Sequence, residues 1–317
     1  MCPVPRGRRI AWFGLKAKDK GCQFVGYQIM ASEPFASAPF VVGESVPGIE
    51  PVPIPAEESV CPVVSHEWVN SEYKHLVVQA SPKALTVNPG QFFNLLCPSP
   101  DVGELFFRRP QSVYRIDREQ GRIEFLYKCV GRGTRGLATL EKGDTVNMVG
   151  PLGVGFRLEP GWRHIVVLGR GVGIATLGPI SQLARDNGVG VTAILSARNP
   201  DFVMADALFR EAGDVVSVLD TDGSSAVENV EVILEQLAAE KRADAFFTCG
   251  SNRLLLLMKR IGKSRNIPGQ VAMEQVMACG LGPCYVCVRT FEVNGKRELR
   301  RVCIEAPVFD MQEAVGW

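Results

Sequence analysis

The chain has 317 residues, 35 of them basic and 34 acidic, a formal net charge of +1, ten cysteines and three histidines. So even a balance gives no electrostatic case for a nucleic-acid or anionic-membrane partner, and the aliphatic runs are too short and too often broken by charge to span a membrane. Arg6, Arg8 and Arg9 stand near the start, but Lys16, Lys18, Asp19 and Lys20 interrupt the apolar residues that follow, so no signal peptide is expected and a reducing cytoplasm is the simplest setting for the cysteines.

Residues 1–60 are rich in proline and glutamate, with Pro34, Pro39, Pro47, Pro51, Pro53 and Pro55 among them, and are expected to form an extended N-terminal arm that could bind a partner. The run 23–29 is expected to form one strand or to dock on a partner. Cys2, Cys22 and Cys61 match no ligand spacing and are taken as unrelated thiols.

Over 61–160 the pattern is strand after strand. Short apolar runs at 75–80, 91–97 and 103–107 are bounded by Pro, Gly or Asn, a hairpin is expected from 113–116 and 123–127, and another strand follows at 142–150. Such spacing favours a small antiparallel barrel or sandwich. Arg108-Arg109-Pro110-Gln111-Ser112 places guanidinium groups beside a hydroxyl, a composition suited to a pyrophosphate or equally to a solvated basic strand end.

Residues 161–265 alternate strands and helices, which predicts a doubly wound parallel sheet with its ligands at the loops 169–173, 196–200, 220–223 and 249–252. Gly169, Gly171 and Gly173 make a G-x-G-x-G turn at a strand-to-helix junction. The sixth place of the dinucleotide fingerprint is Ile174, so the motif is incomplete and an ordinary tight turn remains open. Cys249-Gly250 closes the last strand of the sheet, as one wall of a nicotinamide pocket or as a small buried hydrophobe. His66, His75 and His164 are scattered, build no catalytic triad and read as structural.

The segment 266–317 carries Cys279, Cys284, Cys287 and Cys303. C-x4-C-x2-C with a fourth cysteine farther on is the plant-type spacing for a 2Fe-2S cluster, and the intervening glycines let the backbone close around it. Zinc is the competitor, although it usually takes two short Cys pairs or histidines.

The order of these motifs resembles the electron-transfer subunit of class B dihydroorotate dehydrogenase, within the ferredoxin reductase superfamily. The likeness covers about residues 62–317. It rests on Arg109 to Ser112, Leu126-Tyr127-Lys128 with Gly131-Arg132-Gly133-Thr134, Gly150 to Phe156, Gly169 to Ala175, Thr221 to Ser224, Cys249-Gly250, the cysteine stretch and Pro307-Val308-Phe309-Asp310. The resemblance implies a multidomain β plus α/β chain: an FAD-binding antiparallel β-barrel over 61–160, a NAD(P)-binding doubly wound parallel-sheet domain over 161–265, and a small C-terminal 2Fe-2S segment over 266–317. It further implies that Arg109, Pro110, Gln111, Ser112, Leu126, Tyr127, Lys128, Gly133 and Thr134 hold FAD. Gly169, Gly171, Gly173, Cys249 and Gly250 would shape the nicotinamide side, and Cys279, Cys284, Cys287 and Cys303 would ligate the cluster.

The implied activity is oxidation of NAD(P)H through FAD and the cluster, with delivery of electrons to a separate catalytic, flavin-containing oxidoreductase subunit of dihydroorotate or dihydropyrimidine dehydrogenase type in a hetero-oligomer. No residue need act as acid or base. NADH is favoured, and Ser196 and Arg198 leave NADPH open. The alternatives are a stand-alone reductase serving an oxygenase or soluble acceptor, and a non-catalytic cluster-based sensor. Arg170, Ser251 and Ala306 depart from the usual family pattern. Tyr285, Val286 and the tail 307–309 are expected to face the partner.

Overall fold

The computed structural model describes residues 56–99 and 106–316. The expected arm up to residue 55, with Cys2, Cys22 and the run 23–29, lies outside the described residues, as does most of the strand expected at 103–107.

Seven strands form one curled antiparallel sheet. They are β1 (Glu57–Trp68), β2 (Tyr73–Gln79), β3 (Phe92–Leu96), β4 (Arg109–Ser112), β5 (Arg115–Asp117), β6 (Arg122–Lys128) and β7 (Thr145–Leu152), in the order β4-β3-β7-β1-β2-β6-β5. The curl originates in β1. Its first half, Glu57 to Pro62, pairs with β7, and its second half, Val63 to Trp68, pairs with β2, with a register shift between Val63 and Ser65. A bulge of this kind bends the strand and increases its twist, which lets one strand serve both halves of the sheet. Residues 57–60, grouped by sequence with the arm, are thus strand residues, and Cys61 is a buried core side chain.

The period of two along each strand separates two faces. Phe93, Leu95, Ile123, Phe125, Tyr127, Val146 and Met148 point into the curl and form its core. Their neighbours Phe92, Asn94, Leu126 and Lys128 fall on the other face. A short helix, α1 (Arg132–Leu137), links β6 to β7. His66 donates from Nδ1 to the Leu140 carbonyl at 2.8 Å and accepts the Tyr127 hydroxyl at Nε2 at 2.9 Å. Burial lowers this imidazole to about 4, so it stays neutral and structural.

The second sheet alternates strand and helix through β8 (His164–Arg170), α2 (Gly173–Asp186), β9 (Gly190–Ala197), α3 (Asp206–Ala212), β10 (Asp214–Leu219), α4 (Val227–Ala239), β11 (Ala245–Cys249), α5 (Asn252–Arg265) and β12 (Gly269–Ala272). A hairpin of β13 (Val288–Val293) and β14 (Lys296–Arg301) follows, then β15 (Val308–Asp310). The order is β10-β9-β8-β11-β12-β15, parallel except for β15, which runs antiparallel to β12. Ile165 and Val167 of β8 pack with Leu177, Ile180 and Leu208 of α2 and α3, while Val166 and Leu168 pack with Leu234, Leu254 and Met258 of α4 and α5. Helices on both faces are what a doubly wound sheet requires.

The sheet therefore takes its last two strands from the segment that carries the cysteines. This corrects one expectation: Pro307, Val308 and Phe309 are buried, because β15 completes the sheet edge and Phe309 stacks 3.9 Å from Phe291 of the hairpin. The parallel registers Gly169 with Cys249, Arg170 with Ser196 and Ala197 with Leu219 bring the four expected ligand loops to one edge.

Phe246, fully buried in the centre of this sheet, gives a test of the packing. Phe246→Ala should destabilise the protein by about 3–5 kcal/mol, read from the urea unfolding midpoint.

Candidate functional site

A cavity of about 270 Å³ lies between the two sheets. The outward face of the curled sheet supplies Phe92, Pro110, Gln111, Ser112, Leu126 and Lys128; the start of α2 supplies Val172, Ala175 and Thr176; the C-terminal segment supplies Met273, Glu274, Gln275, Met277 and Pro307. The structure thus brings together five residues foreseen from sequence: Pro110, Gln111, Ser112, Leu126 and Lys128. The Lys128 ammonium is held at 2.8 Å by Glu72.

Tyr127 is placed differently. Strand alternation turns its ring into the core of the curl, where it is 1% exposed and bonded to His66, so its side chain does not reach the cavity. Arg109, Gly133 and Thr134 form a neighbouring group outside the cavity lining. The Arg109 side chain lies over Gly133, where an added β-carbon would stand 2.5 Å from its Nε. Thr134 Oγ1 accepts the N–H groups of Val130 and Gly131, at 3.0 Å each, and so shapes the turn into α1.

A second cavity, of about 490 Å³, opens beside the carboxyl ends of β11 and β12 and is lined by Gly250, Ala272, Glu274, Gln275, Val288 and Arg289. Its floor depends on close backbone packing. A β-carbon at Gly173 would come within 2.6 Å of the Cys249 carbonyl, so the first turn of α2 can seat against β11 only without a side chain there. Gly169 and Gly171 belong to the same turn, which is now seen as a strand-to-helix packing device. Burial raises the Cys249 thiol, with Thr176 hydrogen-bonded to it, so it stays protonated; its side chain is packed in the sheet core and lines neither cavity.

Glu274 and Gln275 line both cavities. Solvent reaches Glu274 through the cavities, yet protein surrounds it, and this desolvation raises its carboxyl. Arg289 donates from Nη1 to the Glu274 backbone carbonyl at 3.2 Å, fixing the hairpin to the end of β12. Sequence reasoning missed Glu274, Gln275 and Arg289; the only signal was their position between the last parallel strand and the cysteine motif.

Beyond this cleft the four cysteines form two pairs. Cys279 and Cys284 have their Sγ atoms 3.1 Å apart, and Cys303 donates its backbone N–H to Cys287 Sγ at 3.4 Å. The pairs differ in setting: Cys284 is exposed, whereas Cys287 and Cys303 are buried. Backbone donors, first from Cys279 and then Val286, lower the Cys284 thiol to about 7, and burial raises that of Cys303 to about 12. Among the described residues no three His, Cys, Asp or Glu side chains converge as on one metal ion. Two thiol pairs suit a two-iron cluster, each iron taking two thiolates, better than one tetrahedral ion.

The curled sheet reaches this loop through Asn94 of β3, 2% exposed, whose Nδ2 donates to the Cys279 carbonyl at 3.3 Å. Its Oδ1 is buried without a partner. Gly280, at φ +70°, leaves room for that amide: a β-carbon there would stand 2.1 Å from Asn94 Nδ2. Gly280→Ala should therefore displace the loop, and iron and acid-labile sulfide bound per chain should fall by half or more, about what one unit of strain and a lost amide contact imply.

Comparison with known proteins agrees with this geometry. The family described as "Iron-sulfur cluster binding domain of dihydroorotate dehydrogenase B" matches residues 274–315. The dihydroorotate dehydrogenase B (NAD(+)) electron transfer subunit of Desulforamulus reducens is 30% identical over 228 residues, 72% of this chain and 86% of that protein. The subunit of the same name from Bacillus cereus strain B4264 is 29% identical over 257 residues, 80% of this chain and 96% of that one. Among solved structures, a chain of the NADH-dependent reduced ferredoxin-NADP oxidoreductase superimposes with a TM-score of 0.68 at 25% identity, covering 80% of this chain and 89% of that chain. The ferredoxin reductase of carbazole 1,9a-dioxygenase, at 18% identity and a TM-score of 0.55, shares the fold. With a curled sheet, a parallel sheet and a four-cysteine loop meeting at one cleft, the chain belongs to the family of dihydroorotate dehydrogenase B electron transfer subunits.

Proposed function

We propose that the chain is the NADH-linked flavin and iron-sulfur subunit of a heteromeric dihydroorotate dehydrogenase, carrying electrons between a nicotinamide dinucleotide and a separate, flavin-containing catalytic subunit in the cytoplasm. One observation carries the reading: Met277 lines the cavity between the sheets and stands two residues before Cys279, so the cleft leads directly into the cysteine loop. No helix of the described residues is long and apolar enough to cross a membrane.

Each group has residues that fit it. Pro110, Gln111, Ser112, Leu126 and Lys128 would hold FAD, with Arg109 over Gly133 and the Thr134 turn at its phosphate end, where a guanidinium fork and backbone N–H groups suit a pyrophosphate. Only the backbone of Tyr127 would contribute. Gly250 and the second cavity would take the nicotinamide, with Gly169, Gly171, Gly173 and Cys249 shaping its floor. Cys279, Cys284, Cys287 and Cys303 would ligate the 2Fe-2S cluster. When bound, flavin and cluster together supply the exchange between two-electron hydride chemistry and single-electron transfer.

The protein's own work is placement. Phe92, Leu126, Val172 and Met273 give the cleft an apolar lining that limits water, and Glu274 and Gln275, just past the end of β12, border both cavities. Asn94 fixes the loop of the first cysteine pair to the strand beside Pro110. No nucleophile or general base is needed, consistent with Cys249 being held protonated by burial. The relatives are named for NAD(+), and the same sites serve electron flow in either direction.

Val276, Leu281, Tyr285 and Val286 are exposed around Cys284, an apolar surface fitted to the partner subunit. In contrast to the buried tail, Tyr285 keeps the outward position expected from sequence, with Arg301 lying 5.0 Å over its ring. Cys284→Ser should lower reduction of the catalytic subunit by NADH at least about tenfold while flavin-dependent reduction of a hydride-accepting dye persists. Undiminished reduction of the partner by cluster-free protein would refute the path.

A further inference from the structure

The edge of the parallel sheet carries a charged cluster that the preceding assignments leave without a role. Arg170, the last residue of β8, donates from Nη1 to Ser196 Oγ at 2.8 Å and to Asp220 Oδ1 at 3.1 Å, and from Nη2 to Asp220 Oδ2 at 2.6 Å. Asp220 also accepts from Ser225 Oγ. On the other side of the β9 end, Arg198 donates to Glu72, which also holds Lys128, and stacks 4.3 Å from the Phe202 ring centroid.

In a sheet with this strand order, a dinucleotide lies across the carboxyl ends. The adenosine ribose then falls beside the end of the second strand, here Ser196 to Arg198. An enzyme that takes a 2′-phosphate presents a guanidinium fork there, because arginine's paired donors match phosphate oxygens. In this chain the arginines at that place are already committed to carboxylates: Arg170 and, at 3.6 Å, Arg253 to Asp220, and Arg198 to Glu72. Total charge does not decide the matter, since Arg170, Arg198, Arg253 and Lys128 outnumber Asp220 and Glu72 and alone would favour a phosphate. Engagement does: a 2′-phosphate would have to break a two-point ion pair and approach a carboxylate. Arg170 holds Asp220 well ionised, at about 2, so the carboxylate is charged throughout the working range of pH.

We propose that Asp220, by clamping Arg170 against Ser196, is the specificity-determining residue that makes this chain select a nicotinamide dinucleotide with a free 2′-hydroxyl and reject its 2′-phosphorylated counterpart. The proposal rests on the nicotinamide site assigned above. Asp220 acts through Arg170, as a positioning residue.

The test uses the flavin- and cluster-loaded chain and two readouts: the ratio of kcat/KM for NADPH to that for NADH with a dye acceptor, and calorimetric binding of adenosine 2′,5′-bisphosphate against adenosine 5′-monophosphate. The wild type should favour NADH and the monophosphate. Asp220→Asn, nearly isosteric at a side chain 40% exposed, should raise the NADPH-to-NADH ratio about tenfold or more, mainly through KM, and tighten the bisphosphate correspondingly, since one charge-assisted bond is being redirected. Adding Arg170→Ala to that variant should abolish the gain. A wild type that uses NADPH as well as NADH, an unchanged ratio in Asp220→Asn, or a gain that survives removal of Arg170 would each overturn the proposal. Failure of the wild type to turn over or bind either nucleotide would instead overturn the nicotinamide assignment on which it rests.

Discussion

The two-residue alternation of β3 and β6 is the constraint on which the rest of the molecule depends. Phe93, Leu95, Phe125 and Tyr127 fill the curled sheet, so Phe92, Asn94, Leu126 and Lys128 are forced outward onto the surface that faces the parallel sheet and the cysteine loop. A slip of one residue in β6 would bury the lysine and empty the core together. The cleft is therefore the outer face of the same strands whose inner face stabilises the fold. Glu72 adds an electrostatic tie across it, joining Lys128 of the curled sheet to Arg198 of the nucleotide edge.

The C-terminal segment closes this arrangement from the far side. β12 and β15 complete the parallel sheet, while the intervening loop and hairpin carry the cysteines, so cluster and nucleotide sites share backbone. Phe291 of the hairpin stacks on Phe309 of the sheet, and Arg289 binds the Glu274 carbonyl. Redox partners must be held at fixed separations, and here those separations rest on β-sheet hydrogen bonds and aromatic packing, with the buried amide of Asn94 as a direct link.

What the sequence made legible followed from spacing. C-x4-C-x2-C names a cluster because ligand geometry fixes residue separation, and alternating strands and helices name a parallel sheet because hydrophobic period fixes secondary structure. The misplacements arose where a motif lists neighbours without saying which way they point. Tyr127 sits within a binding motif, yet its side chain is core, and Pro307 to Phe309 sit in an apolar tail that reads as surface until β12 is seen to need an antiparallel partner. Asn94 and Glu274 belong to no local pattern, and the expected ligand loop 220–223 did not single out Asp220. Their roles come from contacts across 185, 15 or 50 residues of chain, separations to which sequence periodicity is blind.

The central claim is that one chain holds a continuous electron path from nicotinamide through flavin to the four-cysteine cluster. Anaerobic addition of NADH to the purified protein, with flavin absorbance and low-temperature electron paramagnetic resonance followed on the same sample, tests it most directly. The account predicts bleaching of the flavin together with the signal of a reduced 2Fe-2S cluster. Flavin reduced while the cluster stays oxidised at every NADH level, or zinc in place of iron, would contradict it.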